Sequence, residues 1–120
     1  MREFQELIER IYLTKDRARG IDGTFRWFAE EVGELARAIR HREGLNTKTQ
    51  RHEGVELGES QELAGEFADV FAWLASLASQ SGIDLESAAT EKYGQGCPKC
   101  RKTPCACAEA QAQAASPKSK

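Results

Sequence analysis

The chain has 120 residues, of which 40% are hydrophobic and 30% charged, and a formal net charge of −2. That length gives one domain with one modest core. The charge is uneven: residues 1–96 carry 12 Lys/Arg against 18 Asp/Glu, while residues 97–120 carry 5 against 1. An acidic body of this kind excludes binding to nucleic acid polymers by bulk electrostatics. No apolar run reaches the roughly 18 residues of a membrane span, and Glu3, Glu6, Glu9 and Arg10 interrupt any signal-peptide core. The expected setting is therefore cytoplasmic and reducing, with no membrane partner.

A first helix is predicted over roughly residues 2–14, where Phe4, Leu7, Ile8 and Ile11 follow helical spacing. Residues 15–23 read as a connection closed by Gly20 and Gly23. Thr24 is the predicted N-cap of a second helix that runs to about Arg42, with Phe28, Val32, Leu35 and Ile39 as its buried stripe. Residues 43–61 lack an apolar period and contain Gly44, Gly54 and Gly58, which predicts a long loop. A third helix follows over roughly residues 61–80, burying Leu63, Phe67, Val70, Phe71, Leu74 and Leu77, and Ser81-Gly82 ends it. A fourth opens at Ile83 or Asp84 and closes at Tyr93, before Gly94 and Gly96. The Ala/Gln-rich and then Ser/Pro/Lys-rich residues 108–120 are predicted to be a disordered tail.

Two acidic signatures sit inside apolar helical patterns: Glu30-Glu31-Val32-Gly33-Glu34 and Glu66-Phe67-Ala68-Asp69. Carboxylates three apart lie on neighbouring ridges of a helix and can share a cation. A lone pair of this kind is usually a solvated face. Two pairs on packed helices call for a hard metal to offset their repulsion, and magnesium leads to phosphate chemistry. At about 100° per residue, with Phe28 as zero, Glu31 falls near −60°, Glu34 near −120° and Glu30 near −160°. With Phe67 as zero, Glu66 falls near about −100° and Asp69 near −160°. Both pairs flank their apolar stripes on the same rotational side, so antiparallel packing brings them above one groove. Trp27 and Trp73 fall on that side too, as stacking surfaces for a base or as plain core or dimer contacts. Lys15, Arg17, Arg26, Arg37 and Lys92 are candidate phosphate contacts. His41 and His52 read as solvated residues, although His52 lies in the expected loop and within reach of a substrate.

The segments Phe28-Ala29-Glu30-Glu31-Val32-Gly33-Glu34-Leu35-Ala36 and Glu62-Leu63-Ala64-Gly65-Glu66-Phe67-Ala68-Asp69-Val70 resemble the two motifs of MazG-like nucleotide pyrophosphohydrolases. Gly82-Ile83-Asp84-Leu85-Glu86 and Glu91-Lys92-Tyr93 extend the resemblance, which covers roughly residues 4–93. It implies an all-α, four-helix bundle of the MazG-like type that assembles as a homodimer or homotetramer. It also implies Mg²⁺, with Mn²⁺ as an alternative, held by Glu31, Glu34, Glu66 and Asp69. The implied reaction cleaves a nucleoside triphosphate between the α and β phosphates. Glu30 then suits a base that orients or deprotonates the attacking water, and Trp27, Trp73 and Lys92 fall to substrate binding. The chain departs from the family pattern in the length of residues 43–61. After Tyr93 it also lacks a Lys/Asn-rich helix.

Cys97, Cys100, Cys105 and Cys107 place four thiols within 11 residues. Cys-x-x-Cys followed by Cys-x-Cys supplies the ligand number of tetrahedral zinc. Disulfides, an iron–sulfur cluster and mobile thiols are the alternatives. The expected domains are thus a catalytic body over 1–96, a zinc knuckle over 97–107 and the tail. The competing readings are a non-catalytic oligomeric module whose knuckle binds a protein or nucleic acid, and a narrow-substrate relative such as a dUTP, dCTP or phosphoribosyl-ATP pyrophosphohydrolase.

Overall fold

In the computed structural model the described residues are 1–48 and 53–107, with side chains described for 1–41 and 62–107. Their regular structure is wholly helical: α1 spans Arg2–Lys48, α2 Glu53–Gln80 and α3 Leu85–Tyr93. The chain divides into two compact units, Met1–Asp84 and Leu85–Lys120. None of the helices among the described residues is long and apolar enough to cross a membrane.

The predicted connection over 15–23 is instead helical, and a single residue interrupts α1. Gly20 adopts φ 76° and ψ 171°, which splits α1 into two helical stretches joined at a kink. That backbone region is essentially reserved for glycine, since a Cβ would be strained there. One glycine thus makes the break for which the sequence reading allowed nine residues. Gly23, read as closing a connection, lies inside the helix. Thr24 is not an N-cap: it lies in the second stretch, fully buried, and its Oγ1 accepts a hydrogen bond from Gln80 Nε2 at 2.7 Å.

The long loop is also corrected. α1 continues past Arg42 to Lys48, and α2 begins at Glu53 rather than near 61. An apolar period marks the packed face of a helix, and its absence from a sequence does not by itself mark a loop. His52 and residues 108–120 lie outside the described residues.

α2 ends as its sequence dictates. Gly82, at φ 73°, donates its N–H to the Ser79 carbonyl, and Ile83 N–H donates to the Ala78 carbonyl at 2.8 Å. This pair of bonds is the Schellman closure that a left-handed glycine permits. α3 then starts at Leu85, one or two residues later than expected.

α1 packs along α2. Thr24 meets Gln80, Trp27 meets Trp73, and Glu31 meets Asp69 and Glu66, so the second stretch of α1 runs antiparallel to α2. The first stretch is fastened by Phe4 stacked on Phe71 at 4.8 Å and by the buried Gln5. Gln5 Nε2 donates to Ser79 Oγ at 3.1 Å and to the Ile83 carbonyl at 2.8 Å. Arg2 closes the end with three hydrogen bonds from its guanidinium to the Asp84 carboxylate, two from Nε at 3.2 Å and one from Nη2 at 2.7 Å.

The predicted apolar stripes are only partly covered. Among the described residues the buried apolar side chains are Ile8, Ala75 and Ala78. Val32, Ile39, Phe67 and Leu74 were expected inside but are exposed, Phe67 by 53%. Leu7 and Ile11 of the first stretch are exposed as well. Periodicity reports that a helix has an apolar face, not that the same chain covers it.

Candidate metal and phosphate site

The antiparallel register of α1 and α2 decides where the acids go. Glu31 from α1 meets Glu66 and Asp69 from α2, three carboxylates with an oxygen each within 4.8 Å of the others. Glu31 and Glu66 are half-buried and Asp69 is exposed, so the cluster opens to solvent on one side. Burial first, then the charges of Asp69, Glu66, Glu34 and Glu30, hold the Glu31 carboxyl above its ordinary value of 4.5. Glu66 Oε1 is buried and has no hydrogen-bond partner.

An orphaned carboxylate oxygen inside a like-charged cluster is costly unless a cation satisfies it. The donors are all hard carboxylate oxygens, the set that Mg²⁺ or Mn²⁺ takes. The residues therefore fit a divalent cation.

Glu34, one turn beyond Glu30, stands outside the trio. It lines a cavity of about 170 Å³ with Arg37, His41, Glu62 and Glu66. Glu34 and Glu66 thus line the same cavity. Glu30 is exposed and is not part of the trio.

On the Asp69 side lies a cavity of about 150 Å³, lined by Tyr12, Lys15, Asp16, Arg19, Asp69 and Trp73 among others. Arg19 Nη1 donates to Asp16 Oδ1 at 2.9 Å, and Asp16 is buried. The same guanidinium lies over the Trp73 ring, 4.8 Å from its centroid. Two contacts hold Arg19 in one place beside the carboxylates. Trp73 also stacks on Trp27, with centroids 5.8 Å apart and planes at 12°. Trp73 therefore packs on Trp27 as well as bordering the cavity.

Of the sequence-predicted candidates, Lys15 lines this cavity, Arg37 lines the one beside Glu34, and Arg17 and Arg26 border other surface clefts. Lys92 lies on α3 in the second unit, with its ammonium 5.9 Å from the Tyr93 ring centroid. Asp16 and Arg19 were missed because they fell inside a segment read as a connection, and Tyr12, within the first predicted helix, was not singled out. Their spacing of i, i+4 and i+7 places them on one helical face, and carrying the helix through to Gly20 would have exposed it.

In the second unit Cys97, Cys100, Cys105 and Cys107 are free thiols with all four sulfurs within 4.8 Å of one another. Main-chain N–H groups of Cys100 and Lys99 lower the Cys97 thiol. The Ala106 N–H is the largest influence that draws Cys100 down to about 6, while Cys105 and then Cys100 push Cys107 up to about 12.

Comparisons with curated proteins and with solved structures give no significant match. The family model of the MazG nucleotide pyrophosphohydrolase domain matches residues 19–101, a span that contains the Glu31, Glu66 and Asp69 cluster, and the chain belongs to that family.

Proposed function

We propose that the protein is a Mg²⁺-dependent nucleoside triphosphate pyrophosphohydrolase that cleaves (d)NTP between the α and β phosphates. The observation that carries this reading is the trio Glu31, Glu66 and Asp69 with its orphaned Glu66 Oε1, on the helices that the family model spans. Glu31, Glu66 and Asp69 hold the cation, and Glu34, which lines the neighbouring cavity together with Glu66, completes the ligand set. Bound there, Mg²⁺ supplies charge neutralisation for the phosphates and the leaving pyrophosphate.

The chain's own residues do the rest. Glu30 accepts the proton of the attacking water, whose oxygen forms a new bond to the α phosphorus as the bond to the bridging oxygen breaks. General-base assistance of this kind is worth about 10²–10⁴ in rate. Lys15 and the anchored Arg19 give the cavity beside Asp69 a cationic wall suited to phosphate oxygens. Trp27 and Trp73 limit water on the same side and offer an indole edge or face to the base. The likeness of Glu91-Lys92-Tyr93 to the family makes Lys92 a further substrate contact in this reading.

The working form is a homodimer or homotetramer. Ile21, Phe25, Val32 and Ile39 are all exposed, and at about 100° per residue they fall within about 40° of one another on α1. Phe67 and Leu74 form a matching exposed stripe on α2. A second copy of the chain covers such stripes and completes the bundle.

The test is pyrophosphate release from a panel of canonical and modified NTPs and dNTPs, with Mg²⁺ and with EDTA. Release that needs Mg²⁺ and is lost in Glu34→Gln supports the reading and ranks the substrates. No release from any nucleotide, with the chain folded and oligomeric, overturns it in favour of a binding module. Full turnover by Glu30→Gln would remove Glu30 from the base role alone.

A further inference from the structure

We propose that Cys97, Cys100, Cys105 and Cys107 hold one Zn²⁺ in a closed, structural, tetrahedral site, independent of the carboxylate centre. The geometry of the sulfurs carries it. All four lie within 4.8 Å of one another, and Cys97 Sγ and Cys105 Sγ stand 3.6 Å apart. With a Zn–S bond of about 2.3 Å, two ligands of a tetrahedral zinc stand about 3.8 Å apart. The sulfurs thus already surround a space of the right size for a single ion. A cubane iron–sulfur cluster seats each cysteine on its own iron and spreads the sulfurs wider.

The main chain is arranged for this. Cys97 N–H donates to the Lys102 carbonyl at 3.1 Å, and Arg101 N–H donates back to the Cys97 carbonyl at 2.6 Å, which folds residues 97–102 into a knuckle. Arg101 takes the left-handed conformation at φ 61°. Gly96, at φ 103°, leaves room for the returning strand: a Cβ there would sit 2.9 Å from Thr103 Oγ1 and 3.0 Å from the Lys102 carbonyl oxygen. The N–H groups of Ala106 and Cys107 donate to Cys100 Sγ and Cys105 Sγ, both at 3.3 Å. Amide donors to sulfur disperse thiolate charge and fix ligand orientation in metal sites.

A second observation is independent of the sulfurs. Among the described residues from Leu85 to Cys107 no side chain is buried, so the described part of this unit has no apolar core. So short a segment needs a metal or cross-link to hold a defined fold. Zinc with four thiolates carries a net charge of −2, and Lys99, Arg101 and Lys102 lie within the knuckle to offset it. Loading exchanges thiol protons for Zn²⁺ and transfers no electrons. Four protein ligands leave no open position, which makes the site structural rather than hydrolytic.

The experiment uses the full chain purified under reducing conditions. Elemental analysis is expected to give one zinc per chain, released when the thiols are blocked with a mercurial. Titration of stripped protein with Co²⁺ should develop thiolate charge-transfer and tetrahedral ligand-field absorption that saturates at one equivalent and is displaced by Zn²⁺. Trypsin cleavage after Lys99, Arg101 and Lys102 should slow at least tenfold with zinc bound. Cys105→Ser should lose the metal and the protection while pyrophosphate release with Mg²⁺ persists. Iron with labile sulfide, a single bound iron, a disulfide in the reduced preparation, or a Co²⁺ titration without thiolate bands would each overturn the proposal. None of these outcomes bears on the carboxylate site.

Discussion

Glu31→Gln separates the stability of this fold from its cation binding. The carboxylate oxygens of Glu31, Glu66 and Asp69 are at most 4.8 Å apart. Two unit charges at that distance repel by about 1 kcal/mol in water and about 3.5 kcal/mol at an effective dielectric of 20. Glu31 is only half-buried, so the lower figure governs. Removing its charge removes two of the three repulsive pairs, about 2 kcal/mol, and salt screening reduces this to about 1 kcal/mol. For a unit the size of Met1–Asp84 that is a rise in Tm of about 4–8 °C. The assay is thermal unfolding in low salt at fixed protein concentration, in EDTA and then along a Mg²⁺ titration. In EDTA the variant should melt above wild type. With Mg²⁺ wild type should gain about 2.7 kcal/mol at a hundredfold excess over Kd, and the variant little, so the order reverses. A variant no more stable than wild type in EDTA, with the same response to Mg²⁺, would show that the carboxylates do not form one site.

Three more expectations follow from the same structure. Because burial and its acidic neighbours raise the Glu31 carboxyl above 4.5, the folded chain binds that proton more tightly than the unfolded chain does. The contribution of this group to stability is thus present below pH 4.5 and lost as pH rises through the raised value, so the Tm gap between Glu31→Gln and wild type in EDTA should widen from pH 4.5 to 7. Gly20→Ala forces a Cβ into a glycine-only conformation and should cost about 1–3 kcal/mol in chemical denaturation, whereas Gly33→Ala, at a helical glycine with open space around its Cβ position, should be neutral or slightly stabilising. Trp27→Ala should raise KM more than it lowers kcat if the indole meets the base. An unchanged KM with a loss of about 1 kcal/mol in stability would assign Trp27 to the Trp73 stack alone.

The convergence of Glu31 with Glu66 and Asp69, and of Trp27 with Trp73, was legible because helical periodicity fixes angular position and antiparallel packing mirrors it. The Gly20 kink was not. A glycine pair flanked by charged residues reads as a connection, and only the backbone shows that one residue makes the turn while Asp16 and Arg19 stay helical. Missing that helix hid the cavity that Tyr12, Lys15 and Arg19 form beside Asp69. The exposed Val32, Ile39, Phe67 and Leu74 mark another boundary. A sequence records which face of a helix is apolar, but the surface that covers it can belong to another molecule. The cysteine spacing announced the ligand number of a metal. That all four sulfurs surround one ion-sized space depended on Gly96 and Arg101 turning the chain, which spacing alone does not encode.

The most direct test of the central claim is hydrolysis of a nucleoside triphosphate in ¹⁸O-labelled water with Mg²⁺, comparing wild type with Glu66→Gln. Wild type should give monophosphate and pyrophosphate, with the label in the monophosphate, and both products should be lost in the variant and in EDTA. Release of inorganic phosphate and diphosphate, label in the pyrophosphate, or undiminished turnover by Glu66→Gln would contradict it.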